Sequence, residues 1–308
     1  MVFRNFNLFT RVFVISLIIF GLMFLSSCSS NDVAGNYIEL SYPSKFAGPK
    51  IVSVDVLPRS TVAENSDFFL VMTIENQGSQ DMREASVRVF GYDKWYVEIQ
   101  DVDPESFEIL AYDEDSPVVL SQEIEIEGFA NLLSSQEPNH EVTLFIESEF
   151  KYSTVLDQAV CISPSGYDVY GGCDNPEIDS EITANSQYSP VAITTFQENV
   201  FEREQIVYFD FHIENKGSGE VGTISLKDAK LTTDDLQNCD FEGEGESEKI
   251  DSVVRYEFVE DEKSIDLKCE YRYGALSSAI TKSLYLELVY DYSALSEQKF
   301  TIEPSRRR

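Results

Sequence analysis

Five cysteines, two histidines, one tryptophan and 55 acidic residues are the side chains of this 308-residue chain with the most chemistry to offer. Cys161, Cys173, Cys239 and Cys269 follow Cys28 at a distance, and an even set of four suits disulfides in an oxidising compartment. Local closure favours Cys161 with Cys173 and Cys239 with Cys269, because each pair then lies within one structural unit. None of the spacings is as short as C-x₂-C, which argues against structural zinc. His140 and His212 have no nucleophile or orienting acid that spacing sets beside them, so no Ser/His/Asp arrangement is read and no catalytic residue is assigned. There is no H-E-x-x-H, P-loop or dinucleotide fingerprint. Close acid pairs arise here from composition, whereas glycoside hydrolysis needs two carboxylates set across a cleft. Asp101, Asp103 and Glu105 alternate around Pro104 and offer the hard oxygens that calcium prefers, without EF-hand order; a solvated loop is the competing account, and no other cofactor is read. Trp95, with Tyr92 and Tyr96, offers either faces for a sugar ring or an edge-packing cluster.

The charge balance narrows the partners. Against 55 acids stand 23 bases, a formal net charge of −32, which excludes nucleic acid because phosphate recognition needs a cationic surface. Residues 1–27 contain no acid and only Arg4 and Arg11 as bases, so the acidity belongs wholly to residues 28–308. Val12 to Leu25 is a run of 14 mostly apolar residues behind that basic start, too short for a comfortable span and of the form of an export signal. Leu25-Ser26-Ser27-Cys28 resembles the lipobox of prokaryotic lipoproteins. That resemblance implies cleavage before Cys28, acylation of its thiol, and a partner in the membrane itself; an uncleaved anchor is the alternative. Two or three acyl chains, at about 0.8 kcal/mol per buried CH₂, hold a protein stably on one leaflet, lipid-anchored and facing outside the cytoplasm.

The elements that would position these residues come from an internal repeat. Phe68 to Gly78 lines up with Val207 to Gly217 at an offset of 139, and Tyr152, Ser153, Gln158, Ile162 and Pro164 with Tyr292, Ser293, Gln298, Ile302 and Pro304 at 140; Pro49 and Pro190 open the copies at 141. Phe68, Leu70, Met72 and Ile74 alternate with polar neighbours, as do Val207, Phe209, Phe211 and Ile213, which is the half-buried strand signature. Asn76-Gln77-Gly78 and Asn215-Lys216-Gly217 then end the strand, Asn bonding its own backbone and Gly supplying positive φ. Further strands are expected at 51–56, 85–90, 95–99, 119–126 and 142–150, with one helical turn or two at 129–133 and 275–280. Tyr152 and Tyr292 sit just past closing hairpins, where a hydroxyl can fix a corner between strands or the ring can simply be half-buried.

Short strands with turn signals between them, about seven per copy, indicate an all-β chain of two tandem immunoglobulin-like sandwiches. The expected division is 1–27 signal peptide, 28–46 polar tether, 47–162 first sandwich, 163–187 linker with a disulfide loop, 188–304 second sandwich and 305–308 basic tail. The alternating strand with Asn-x-Gly resembles the CARDB-type immunoglobulin-like modules of bacterial and archaeal surface proteins. Membership implies extracellular display and a non-catalytic role in adhesion, interaction or spacing, with an unidentified surface protein or glycan as partner. A carbohydrate- or calcium-binding surface module is the alternative, and an exported hydrolase stands third.

Overall fold

The computed structural model describes residues 36–39, 48–100, 107–111, 120–134, 138–162, 189–201, 203–250, 253–274 and 278–305. These residues form strands and no helix. The first copy holds β2 (Pro49–Leu57), β3 (Thr61–Ala63), β4 (Ser66–Asn76), β5 (Met82–Phe90), β6 (Val97–Ile99), β7 (Phe107–Ile109), β8 (Leu120–Ala130) and β9 (His140–Ile162), preceded by β1 (Asn36–Glu39). The second holds β10 (Val191–Phe201), β11 (Ile206–Asn215), β12 (Glu220–Leu231), β13 (Asp234–Asp235), β14 (Gln237–Glu242), β15 (Glu246–Ile250), β16 (Val253–Glu257), β17 (Ser264–Arg272) and β18 (Ile280–Glu303). The expected turns near 129 and 275 are not helical: Phe129 and Ala130 finish β8, Ile280 opens β18, and 275–277 lie outside the described residues.

Each copy builds one sheet of its own, β2-β4-β8-β6 and β1-β10-β11-β17-β14, and both contribute to a nine-stranded sheet whose main path runs β15-β16-β12-β18-β9-β5-β7. Period two holds throughout: Phe68, Leu70, Met72 and Ile74 are buried on β4, and Val207, Phe209, Phe211 and Ile213 on β11. The core therefore lies between each private sheet and half of the shared one.

The shared sheet corrects the expected division of the chain. No hairpin closes either copy at its tyrosine. β9 runs straight through Tyr152 to Ile162, β18 runs through Tyr292 to Glu303, and the two pair antiparallel from His140↔Ile302 to Ile162↔Ile280. Neither strand contains a glycine or proline, so nothing in it forces a reversal. The last half of β9 consequently completes the second sandwich, where the Thr154 hydroxyl donates to the Val191 carbonyl (2.5 Å). The last half of β18 completes the first, where Phe300 packs on Phe68 with ring centroids 5.0 Å apart. Among the described residues, 152–162 belongs in space with 189–290, and 292–303 with 48–150.

An offset of 140 combined with this register makes the exchange pseudo-twofold. Lys151 stands opposite Asp291, its own counterpart in the second copy, and so marks the axis. Phe150, Tyr152, Tyr290 and Tyr292 are buried around it, with Phe150 and Tyr292 5.4 Å and Tyr152 and Tyr290 6.3 Å apart. The cross-strand ion pair Arg88–Glu147 recurs as Lys227–Glu287. Both are surface pairs, screened by solvent and of little weight for stability.

Register brings two smaller corrections. Pro49 pairs with Asn76 but Val191 with Asn215, and the same bulge occurs at Ile51/Ser53 and at Ile193/Thr195. The first strands therefore correspond at an offset of 142, and Pro190 is not the partner of Pro49. The stretch expected to be a polar tether also contains β1, whose Asn36 to Glu39 pair with Glu198 to Thr195 along the edge of the second sandwich. An open edge offers unpaired backbone groups, and four residues of the preceding chain satisfy them.

Candidate functional site

Three places in the fold gather polar or aromatic groups: the repeated corners at the pseudo-axis, a buried acid in the second sandwich, and the loop tip of the first.

The corners explain the Asn-x-Gly motif. Asn76 Oδ1 accepts from the Gly78 amide (3.1 Å) and the Tyr152 hydroxyl (3.3 Å), and Nδ2 donates to the Gln80 carbonyl (2.8 Å). The Gln80 amide in turn donates to Tyr152 Oη (3.2 Å). In the second copy Asn215 Oδ1 accepts from Gly217 (3.0 Å), Nδ2 donates to the Gly219 carbonyl (2.8 Å), and the Gly219 amide donates to Tyr292 Oη (2.7 Å). Each tyrosine is thus a corner bond holding the residue four places beyond the asparagine. Burial raises the Tyr292 phenol above its ordinary value, while the Gly219 amide works in the opposite direction. Neither motif glycine has positive φ, which Gly91 alone adopts among the described glycines; Gly217 serves close approach. A Cβ on Gly217 would lie 2.0 Å from Tyr292 Oη.

Beside the second corner opens a cleft of about 790 Å³, lined by carboxylates that include Glu84, Glu149, Glu220, Glu262 and Asp291, with Lys151 among them. Glu84 and Lys151 also line a smaller cleft beside the first corner, and they pair with each other at 2.5 Å. Glu262 is occupied by the Tyr256 hydroxyl (2.7 Å) and the Glu244 amide (2.9 Å), which hold neighbouring loops together. Neither cleft has a histidine or cysteine in its lining. The arrangement is a solvated acidic trough suited to attracting cations.

Glu198 is invisible to sequence patterning, where an acid within a strand reads as exposed. Its register partner Phe209 corresponds to Leu70, whose partner is Val56, so Glu198 occupies the position of a buried valine in the first copy. Aligning the two strands at 142 would have revealed it. Desolvation pushes its carboxyl up to about 7. The native carboxyl keeps its proton between about pH 4.5 and 7 while the unfolded chain loses it, so stability is complete below pH 4.5 and falls as pH rises through 7. Glu198→Val is expected to remove this slope. Urea unfolding should show it more stable than the parent by roughly 3 kcal/mol at pH 8 and little changed at pH 4.

At the far end of the first sandwich, Trp95 is 85% and Leu132 67% exposed. Of the three aromatics grouped by sequence, Trp95 alone is presented. Tyr92 and Tyr96 pack against the core, and Tyr96 stacks on His140 at 3.5 Å. Trp95 precedes its strand, which begins at Val97 instead of residue 95. His212 is partly exposed on the outer face of β11, between Asp266 (2.7 Å) and Glu214 (3.4 Å).

Cys239 and Cys269 form a disulfide joining β14 to β17. Cys161 is disulfide-bonded as well; Cys173 lies outside the described residues, as do Cys28, Asp101, Asp103, Glu105, the 163–187 linker and the arginines of the tail. Among the described residues no group of three or more His, Cys, Asp or Glu is arranged to hold a metal, and no helix is long and apolar enough to cross a membrane.

No family model matches the chain, and no curated protein matches it. Among solved structures it is matched to the secreted serine protease VesC from Vibrio cholerae, at 11% identity over 80% of this chain and 51% of that one, with a TM-score of 0.18. The chain spans about half the length of that structure, and so low a score conveys no likeness of fold.

Proposed function

We propose that the chain is a lipoprotein anchored through Cys28 outside the cytoplasmic membrane, where its two sandwiches act as a non-catalytic display unit for adhesion, interaction or spacing. The observation that carries this reading is the strand exchange. Tandem immunoglobulin-like modules joined by a linker pivot about it by default, whereas β9 and β18 pair without interruption across the junction of these two. A body whose two halves share one uninterrupted sheet has no hinge at its middle, and that suits a mechanical task. The acidic surface keeps such a body soluble and discourages edge-to-edge pairing of its sheets.

The anchor is tested in cells making the full chain. Mass analysis of the N-terminal peptide should find a processed, acylated Cys28, and Cys28→Ser should move nearly all of the protein out of the membrane fraction. Recovery of the parent protein from the cytoplasm with an unmodified Cys28 would overturn the reading.

A further inference from the structure

The display role leaves open what the exposed tip of the first sandwich does. Val97 pairs with Ala130, and the Asn131 amide donates to the Tyr96 carbonyl at 2.8 Å, so the turn that carries Trp95 lies beside the segment that carries Leu132. The indole is held on an ordered loop. The Trp95 amide donates to Asp93 Oδ1 (2.9 Å), and the amides of Tyr96 and Val97 both donate to the Asp93 carbonyl (3.0 and 3.1 Å). Asn131 Nδ2 reaches the Lys94 carbonyl (3.4 Å), and beneath the loop Tyr96 is fixed against His140.

We propose that this tip is a carbohydrate-binding platform, in which one neutral sugar ring lies on the face of Trp95, its edge against Leu132 and its hydroxyls toward the polar groups around the loop. Size and charge select the ligand. A Trp and a Leu together offer far less than the ~800 Å² per partner of a standard protein interface, but a single ring needs no more than one aromatic face. The loop carries Asp93 beside Lys94, and Glu64 accepts from the Leu133 amide (3.0 Å), so the net charge around it is negative and anionic headgroups are disfavoured. Trp95 and Leu132 are both largely exposed, so the apolar surface is accessible from solvent. A sugar ring pairs an apolar C–H face with a hydrogen-bonding rim, as this surface does.

Trp95 is the only tryptophan in the chain, so its fluorescence reports the site directly. Purified full-length protein is titrated with soluble neutral oligosaccharides, and with phosphatidylcholine vesicles as the competing surface. At least one oligosaccharide should produce a saturable blue shift and protect the indole from acrylamide. By calorimetry the same sugar should bind Trp95→Ala at least about tenfold more weakly, and Leu132→Gly by an intermediate factor. Unchanged melting temperatures would show that both variants fold, as the exposure of both side chains leads one to expect. Emission unaffected by every oligosaccharide up to about 10 mM overturns the proposal, as does a response to vesicles alone or sugar binding that survives Trp95→Ala.

Discussion

Expressed alone, residues 47–162 are expected to form a dimer and no stable monomer. The fragment ends with Thr154, Leu156, Val160 and Ile162, which are buried in the intact chain only because they complete the second sandwich. It also lacks Phe300 and Ile302, which fill the first. Burying one large aliphatic side chain is worth about 1.5–3 kcal/mol, so exposing three of them removes an amount comparable with the whole 5–15 kcal/mol of a domain's stability. Two copies can recover most of it by exchanging 152–162, as β9 and β18 do within one chain. The axis then disfavours that solution, because Lys151 would face Lys151 where the intact chain sets Lys151 opposite Asp291. The fragment 188–308 would likewise place Asp291 against itself. Mixing the two fragments should therefore yield the heterodimer in excess over either homodimer, measured by native mass spectrometry and by sedimentation. A monomeric, cooperatively unfolding 47–162 would refute the exchange.

What the sequence displays and what it conceals separate along physical lines. Alternation at Phe68 to Ile74 and at Val207 to Ile213 reports which face is buried, because a pleated strand has no other way to be half-buried, and the all-β character comes from it. Alternation does not report where a strand stops. The buried phase of β9 continues through every even position from Val142 to Ile162, so the tyrosine expected at the end of a hairpin lies mid-strand. The one sign of the exchange is the lack of glycine and proline across 140–162 and 280–303, a feature meaningful only once a hairpin is expected there. Glu198 and the edge strand at Asn36 to Glu39 are hidden for another reason. Their settings depend on register against strands far away in sequence, and single-strand patterning carries no such information. At the tip, Trp95 stands out by residue type, but its exposure arises because the strand begins two residues later than alternation implies.

The two copies of Asn-x-Gly look equivalent in sequence, and their asparagines are expected to differ several-fold in worth. Asn76 is fully buried, and beyond the corner its Nδ2 lies within bonding distance of the Ile109 carbonyl (3.2 Å) and the Leu110 carbonyl (3.1 Å), tying β7 and the residue after it to the end of β4. Asn76→Ala leaves those carbonyls, that of Gln80, the Gly78 amide and the Tyr152 hydroxyl without their partner where water has little access. At about 1–3 kcal/mol for each buried group left unsatisfied, with some relaxation, the loss should be roughly 3–5 kcal/mol. Asn215 is only half-buried, and among the described residues its side chain bonds the Gly217 amide and the Gly219 carbonyl. Water can replace it, and Asn215→Ala should cost about 1 kcal/mol. Tyr152→Phe separates the hydroxyl from the ring, and should cost about 1–2 kcal/mol through the Gln80 amide and Asn76 Oδ1 while keeping the aromatic cluster intact. Urea unfolding of the three variants, compared by midpoint at constant slope, orders them. Equal losses at Asn76 and Asn215 would mean that the corner alone sets the worth of the motif and that the β7 carbonyls contribute nothing. The expected inequality places the stabilisation in what the second half of each copy lays against the corner, which is where the two repeats have diverged.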